Sequence, residues 1–371
     1  MSRTAADGPL RVLRIAHSDV VAAWRERERN LIRRGVDIHL LTAEVWDEGG
    51  SPVAFTVGTD DFAEGATTLG RHPNVFLFDP RALWRLLGGR WDVIDIHEEP
   101  CSLATAEVLL LRWLRGNKAP YILYSAQNIA KRYPPPFRWT ERLALRSAAA
   151  ISVCNRAAGQ IARSKGLTGT VAEIPLGVDL TRFTPADREP PRDGSAQIGY
   201  IGRLAAHKGV SVLLESLVTR PSWRLDIAGA GPDEEALRAQ VSGAELAPRV
   251  RFRGSVGEDD LPAVYRSLDV IAVPSLPTPR WEEQFCRVAV EAMASGVPVV
   301  ASRSGALPEV IGDAGLLVAP GDAAALRAGI DAVVSDPVRW SELRTAGLER
   351  AQRFTWDAVA EAYEALYAGA V

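Results

Sequence analysis

The sequence predicts two open, doubly wound α/β domains in tandem, each built on a parallel sheet. Three observations lead there. Short apolar runs alternate with longer helical patterns in both halves, the mark of βαβ units. That rhythm stops once, between Ile174 and Gly194, where Pro175, Pro185, Pro190 and Pro191 interrupt a stretch without periodicity. The 371 residues are enough for two domains that each bury a core.

Taken in order, Val12–Ala16 reads as a strand, Val20–Arg34 as a helix stopped by Gly35, and Ile38–Thr42 as a strand. Residues 43–73, rich in Gly, Asp, Glu and Thr, read as long loops with one strand at most. Asn74–Phe78 and Val93–Ile96 are strands flanking a helix at Ala82–Leu87. Helix Leu103–Arg115, strand Tyr121–Ser125, helix Arg142–Ser147, strand Ala150–Val153 and a helix running to Lys165 complete the first half. Beyond the break come strand Gln197–Ile201, helix Gly209–Leu217, strand Arg224–Ala228, helix Asp233–Val241 and strand Val250–Arg253. Helix Glu258–Ser267 and strand Val270–Val273 lead to WEEQFCRVAVEAMASGVPVVAS, residues 281–302. There Val290, Met293, Ala294 and Val297 recur at helical spacing, Gly296 suits the helix end, and Pro298 precedes a strand reaching Ala301. Strand Leu316–Val318, helices at 322–335 and 337–352, and an amphipathic stretch from Phe354 to Tyr367 with no strand after it close the chain.

Composition narrows the function classes. Apolar residues make up 47% and charged residues 24%, as in a soluble globular protein. A net charge of −3 does not indicate a nucleic-acid partner. Cys101, Cys154 and Cys286 are odd in number and widely spaced, which fits a reducing compartment and not a zinc site or disulfide framework. The polar N-terminus has no secretory apolar region, and no apolar run approaches the roughly 20 residues of a membrane span. A cytoplasmic protein is the expectation.

Open parallel sheets bind ligands at the carboxyl ends of their strands, so the cleft between the halves is the expected active site. Gly202-Arg203 to Lys208-Gly209 lies at such a strand-to-helix turn. A guanidinium and an ammonium near a helix N-terminus suit a diphosphate; an exposed basic turn is the alternative. Glu283 and Glu291 flank Phe285, Cys286, Arg287 and Val288, at a loop-to-helix entry whose backbone NH groups favour an anion. Glu291 could accept hydrogen bonds from sugar hydroxyls, although two exposed helix carboxylates would look the same. No Asp-x-Asp occurs and the five histidines are scattered, so side-chain cations, not a bound divalent metal, would neutralise a diphosphate. Gly229-Ala-Gly231-Pro232 lacks the third glycine of a dinucleotide fingerprint, having Glu234 there.

In the first half, His97-Glu98-Glu99-Pro100 ends a strand. His97 is a candidate acceptor contact, and Glu98 is either another or a cap for the next helix. Gln127 and Asn128 end the next strand with amides able to read hydroxyls, a turn role being the alternative for Asn128. Lys131-Arg132-Tyr133 through Phe137-Arg138-Trp139 mixes cations and aromatics around three prolines. It is either a surface for an acceptor or an anionic lipid, or an ordered loop over the core.

Together these motifs resemble the retaining glycosyltransferases of family 4, with two Rossmann-like domains in the GT-B fold. The resemblance rests on Glu283-x7-Glu291 with EAMASGVPVVAS, Gly202-Arg203 to Lys208-Gly209, IPLGVD at 174–179, and DVIAVPS at 269–275. HEEP at 97–100 and AQNIAKRYPPPF at 126–137 look like one bacterial branch of that family. It implies an acceptor-binding domain at 1–180, a nucleotide-sugar-binding domain at 190–352, and a last helix at 353–371 packing back on the first domain. It further implies that Arg203 and Lys208 hold the donor's diphosphate, Glu291 the ribose and Glu283 the transferred sugar. Backbone groups of Phe285 to Val288 would meet sugar or phosphate, and Val256 would pair with the base.

Gln127 stands where many relatives have a histidine touching the donor sugar. Cys286 departs from the glycine usual in the motif, and its β-carbon disfavours positive φ and narrows the donor's approach. The loop Ala16-His17-Ser18-Asp19 lacks the glycine pair of many relatives, so His17 or Asp19 would fill that space, or the acceptor pocket is shaped differently. The implied reaction is transfer from a nucleotide-diphosphate sugar to a hydroxyl of a small-molecule, lipid-linked or glycan acceptor, without metal or other cofactor. The alternatives are an epimerase or hydrolase of nucleotide sugars on the same fold, and a non-catalytic relative that only binds them.

Overall fold

A computed structural model describes residues 8–48, 51–191 and 194–371. The chain forms two compact units, Met1–Gly177 with Trp356–Val371, and Val178–Thr355. Up to Gly177 the elements are β1 Arg11–Ile15, α1 Glu26–Arg33, β2 Asp37–Ala43, β3 Val45–Glu48, β4 Ser51–Ala54, β5 Ala63–Ala66, β6 Thr68–His72 and β7 Val75–Phe78. Then come α2 Pro80–Leu87, β8 Val93–Ile96, α3 Leu103–Leu114, β9 Tyr121–Ser125, α4 Phe137–Ser147, β10 Ala150–Val153, α5 Arg156–Ser164 and β11 Thr170–Glu173.

The second unit begins with β12 Ala196–Ile201, α6 Val210–Leu217, β13 Trp223–Ala228, α7 Glu234–Gly243, β14 Val250–Gly254 and α8 Leu261–Arg266. It continues through β15 Val270–Val273, α9 Arg287–Ala294, β16 Val299–Ser302, α10 Leu307–Ile311, β17 Gly315–Val318, α11 Ala323–Val334 and α12 Pro337–Ala351. Helix α13, Trp356–Ala370, returns to the first unit.

The first sheet is parallel throughout, in the order β11-β10-β9-β8-β1-β2-β5. Its strands alternate between two buried faces. Leu13, Ile15, Ile94 and Ile96 pack under α2 to α5, while Val12 and Val93 pack under α1 and α13. That second face explains the amphipathic tail: Val359, Ala360, Tyr363, Leu366 and Tyr367 are its buried stripe. The same layer encloses a charge cluster. Arg14 pairs with Asp95, Asp19 and Glu28, Arg27 joins Asp19 and Glu28, and the Tyr367 hydroxyl donates to Asp95 at 2.7 Å. Asp19 is therefore a buried partner of two arginines.

The second sheet has the order β14-β13-β12-β15-β16-β17, again all parallel. In both sheets the first strand lies between the strand that follows it and one that arrives later from the opposite edge. These switch points, β1 beside β8 and β12 beside β15, open at the strands' carboxyl ends.

Several expectations need correction. The helix expected from Val20 is two 3-10 turns, His17–Val20 and Ala22–Arg25, and only then α1; Val21 between them is extended at φ −76° and ψ 116°. Residues 43–73 hold β3 to β6 and not long loops, with β5 at the edge of the first sheet and antiparallel pairs β3–β4 and β6–β7. Edge strand β11 and helix α10 were not expected; both are too short for their apolar residues to show a period. Among the described residues no helix is long and apolar enough to cross a membrane.

Candidate active site

In the second unit the turn after β12 depends on glycines that let backbones touch. A β-carbon on Gly229, at φ +144°, would stand 1.9 Å from the Gly202 carbonyl oxygen, and one on Gly231 would stand 2.2 Å from that of Leu204. The G-x-G at 229–231 thus admits the neighbouring turn, consistent with its poor match to a dinucleotide fingerprint. Arg203 follows, exposed, with its carbonyl accepting from the Tyr200 hydroxyl at 2.8 Å. No carboxylate pairs with its guanidinium among the described residues. A 3-10 turn, Ala206–Lys208, then ends at Gly209 in the left-handed region, φ +71°, where a β-carbon would meet the Pro274 oxygen at 2.0 Å. That packing joins the β12 turn to the end of β15 and aims Lys208 at the segment before α9.

Lys208 Nζ lies 3.1 and 3.0 Å from the two carboxylate oxygens of Glu283 and 4.6 Å from the Trp281 ring centre. Ser275, at the end of β15, donates to Glu283 Oε2 at 2.8 Å. The Glu283 backbone is fixed as well, since its carbonyl accepts from Ala306 N at 2.8 Å and a β-carbon on Gly305 would collide with it. Cys286 sits next to α9 at φ +77° and ψ 76°, a left-handed conformation suited to glycine. Enclosure by the surrounding protein, then the Glu283 charge, pushes its thiol up to about 12, so it stays protonated.

Glu291 is buried on α9, and its Oε2 accepts from the Tyr265 hydroxyl at 2.8 Å. Arg287 lies 3.7 Å from Glu291 Oε1, a charge contact one turn away. Phe285 is buried edge-on against Phe354, Val288 is half-buried, and Val256 is half-buried in the loop after β14. Burial, then Lys208, lowers the pKa of His207, whose ring rests 4.2 Å from that of Trp281.

The first unit gathers His17, Glu98 and His97 at its own switch point. Glu98 accepts from the His17 backbone NH at 2.8 Å, and its Oε2 is 2.6 Å from His17 Nδ1. Its helix-cap alternative fails, because Ser102 caps α3 by accepting from Thr105 N at 3.0 Å. Trp46 and Phe76 enclose the His17 ring. His97 stacks on Tyr124 at 3.9 Å with its Nδ1 buried and unbonded, and burial followed by Arg14 lowers its pKa well below 6.5. Gln127 turns away into another network. Its amide donates to the Tyr133 hydroxyl at 2.8 Å and accepts from Lys165 at 3.3 Å, and Lys165 pairs with Glu141 at 2.6 Å. Asn128 is half-buried beside it.

Sequence reasoning missed Ser275, Trp281 and Tyr265, the side chains that hold Lys208, Glu283 and Glu291 in place. Ser275 and Trp281 lay inside recognised motifs without an assigned role, while Tyr265 carries no local signal.

A family model described as Glycosyl transferases group 1 matches residues 184–354, and one described as Glycosyltransferase Family 4 matches residues 24–182. The D-inositol 3-phosphate glycosyltransferase of Corynebacterium jeikeium is 35% identical over 226 residues, which cover 54% of this chain and 52% of that protein. The 2-deoxystreptamine glucosyltransferase of Streptomyces kanamyceticus is 34% identical over 214 residues, covering 53% of this chain and 54% of that one. The chain spans about half the length of the curated relatives it matches. Among solved structures, Anabaena Alr3699/HepE in complex with UDP superposes with a TM-score of 0.74 at 18% identity, covering 96% of this chain and 99% of that one. The two models between them account for both units, and the chain belongs to the family-4 glycosyltransferases, with the two-domain GT-B fold.

Proposed function

We propose that this protein transfers a sugar from a nucleotide-diphosphate sugar to an acceptor hydroxyl, retaining the anomeric configuration and using no metal. The observation that carries the reading is the Lys208 ammonium, held between both oxygens of Glu283 within a turn's reach of Arg203. Arg203 and Lys208 supply positive charge for the diphosphate, assisted by the backbone NH groups that open α9. Glu283, steadied by Lys208 and Ser275, is assigned a hydroxyl of the transferred sugar, and Glu291, with Tyr265 on Oε2 and Arg287 beside Oε1, is assigned the ribose. Cys286 and Phe285 to Val288 flank the sugar and phosphates, and Val256 meets the base. The UDP in the Anabaena structure makes uridine-diphosphate sugars the first donors to test.

In the step we propose, the bond from the anomeric carbon to the diphosphate oxygen breaks as Arg203 and Lys208 stabilise the charge on the leaving group. The acceptor oxygen bonds to that carbon on the same face, and its proton passes to the departing phosphate. His97, held neutral by burial, Glu98, His17 and Asn128 are assigned to the acceptor, a small molecule, lipid-linked intermediate or glycan end; Gln127 is assigned a donor-sugar contact only if it leaves Tyr133 and Lys165. Lys208→Ala should lower kcat/KM by about 100-fold or more in a variant that circular dichroism shows still folded, its melting temperature lowered by the loss of Glu283's partner. Full activity in that variant contradicts the reading.

Cys286 favours one second reading, a relative that binds nucleotide sugar without transferring it, because its side chain occupies a position suited to glycine. Calorimetric donor binding without product across an acceptor panel, with transfer gained in Cys286→Gly, would support it.

A further inference from the structure

Helices α3 and α4 of the first unit leave large apolar side chains in water. Leu110, Trp113 and Leu114 on α3, about one turn apart, are 55%, 72% and 52% exposed, and Trp139 and Leu143 on α4 are 63% and 62% exposed. Leu110, Trp113 and Leu143 line a groove of about 450 Å³ between the two helices. Exposed apolar residues scattered singly need no explanation, but a cluster on two packed helices marks a surface that meets something.

The exposed charges of α3, α4 and the segment joining them all have one sign. Arg138, Arg142 and Arg146 recur every fourth residue along α4, in the stripe next to Trp139 and Leu143, and all three are exposed. Arg115 and Lys118 after α3, and Lys131 and Arg132 before α4, are exposed too. None of them is paired with a carboxylate among the described residues. Between residues 103 and 147 the acids are Glu107 and Glu141 alone. Glu141 is buried against Lys165, and Glu107 accepts from the Phe78 backbone NH. A chain of net charge −3 thus carries one face of apolar rings and leucines fringed by cations.

We infer that the α3–α4 face seats this protein on an anionic lipid bilayer, with Trp113 and Trp139 at headgroup depth and the α4 arginines on lipid phosphates. Tryptophan and leucine beside arginine suit the interface of a bilayer, where rings and aliphatic groups enter the acyl boundary and guanidinium groups remain at the phosphates. Leu110, Leu114 and Leu143 have no ring to stack on a base and gain only from hydrocarbon, which favours lipid over nucleic acid. The inference goes beyond the proposed transfer reaction and stands or falls apart from it, because vesicle binding is read without turnover.

The test is co-sedimentation of the full chain with vesicles of equimolar phosphatidylcholine and phosphatidylglycerol, against phosphatidylcholine alone. Binding to the mixed vesicles is expected, weakening as salt is added, with little on neutral lipid. Arg138→Gln with Arg142→Gln should lower the partition coefficient roughly 30-fold. Trp113→Ala with Trp139→Ala should lower it about tenfold. Both pairs change exposed side chains, and an unaltered melting temperature confirms that they fold. Failure of the parent protein to bind mixed vesicles at low salt overturns the inference, as does equal binding to neutral vesicles. Variants that bind like the parent also overturn it. So does a dimer in sedimentation velocity that Trp113→Ala with Trp139→Ala dissolves, since the face would then join two copies of the chain.

Discussion

Cys286 offers a test whose size follows from the backbone. At φ +77° and ψ 76° a β-carbon crowds the following carbonyl, at a cost of about 1–2 kcal/mol for any residue but glycine. Cys286→Gly removes that strain but adds unfolded-chain freedom worth about 0.4–1 kcal/mol. Cys286→Ala keeps the strain and loses the thiol's contacts as well. The glycine variant should therefore be more stable than the alanine variant by about 1 kcal/mol, which is roughly 2–4 °C in Tm for a unit of this size. Thermal unfolding of both variants beside the parent, followed by circular dichroism, measures the difference. An alanine variant as stable as the glycine variant would refute the assignment of strain to this position. Because the same change widens the space before α9, tighter binding of UDP by Cys286→Gly is the functional counterpart, read by calorimetry.

Other expectations follow from the same geometry. Gly209→Ala places a β-carbon 2.0 Å from the Pro274 oxygen at positive φ, so a loss of about 3 kcal/mol or more in urea unfolding is expected, with UDP binding lost alongside. Tyr265→Phe deletes the hydroxyl that donates to buried Glu291 and should cost about 1–3 kcal/mol of stability. His97 has a folded pKa well below 6.5, so its contribution to stability is complete above pH 6.5 and is lost as pH falls below that value, where the unfolded chain takes up the proton first. Urea midpoints at pH 8 and pH 5.5 should therefore converge in His97→Gln relative to the parent; an unchanged difference would remove His97 as its source.

The interior strands were legible because a strand buried on both faces is a plain apolar run. Val93–Ile96, Tyr121–Ser125, Ala150–Val153 and Val270–Val273 are observed with the boundaries their composition predicts. Strands β3 to β6 were not legible, since short polar strands, whether in a hairpin like β3 and β4 or at a sheet edge like β5, share the composition of loops. Lys208 and Glu283 were picked out separately by local motifs, yet their contact joins residues far apart in the chain and appears only once β12 and β15 are neighbours. The same holds for His17 and Glu98, which meet because β1 lies beside β8. Gln127 drew attention by its place after a strand, and the network that engages its amide, Tyr133 and Lys165, was not visible in the sequence. Cys286 was read as a residue that would resist positive φ, and the fold imposes that conformation on it nonetheless.

A crystal structure of the chain soaked with UDP tests the central claim most directly. The account predicts the diphosphate against Arg203 and Lys208 at the carboxyl end of β12, with the ribose hydroxyls on Glu291. A nucleotide bound away from those three side chains, or seated there with its phosphates turned to solvent, would contradict it.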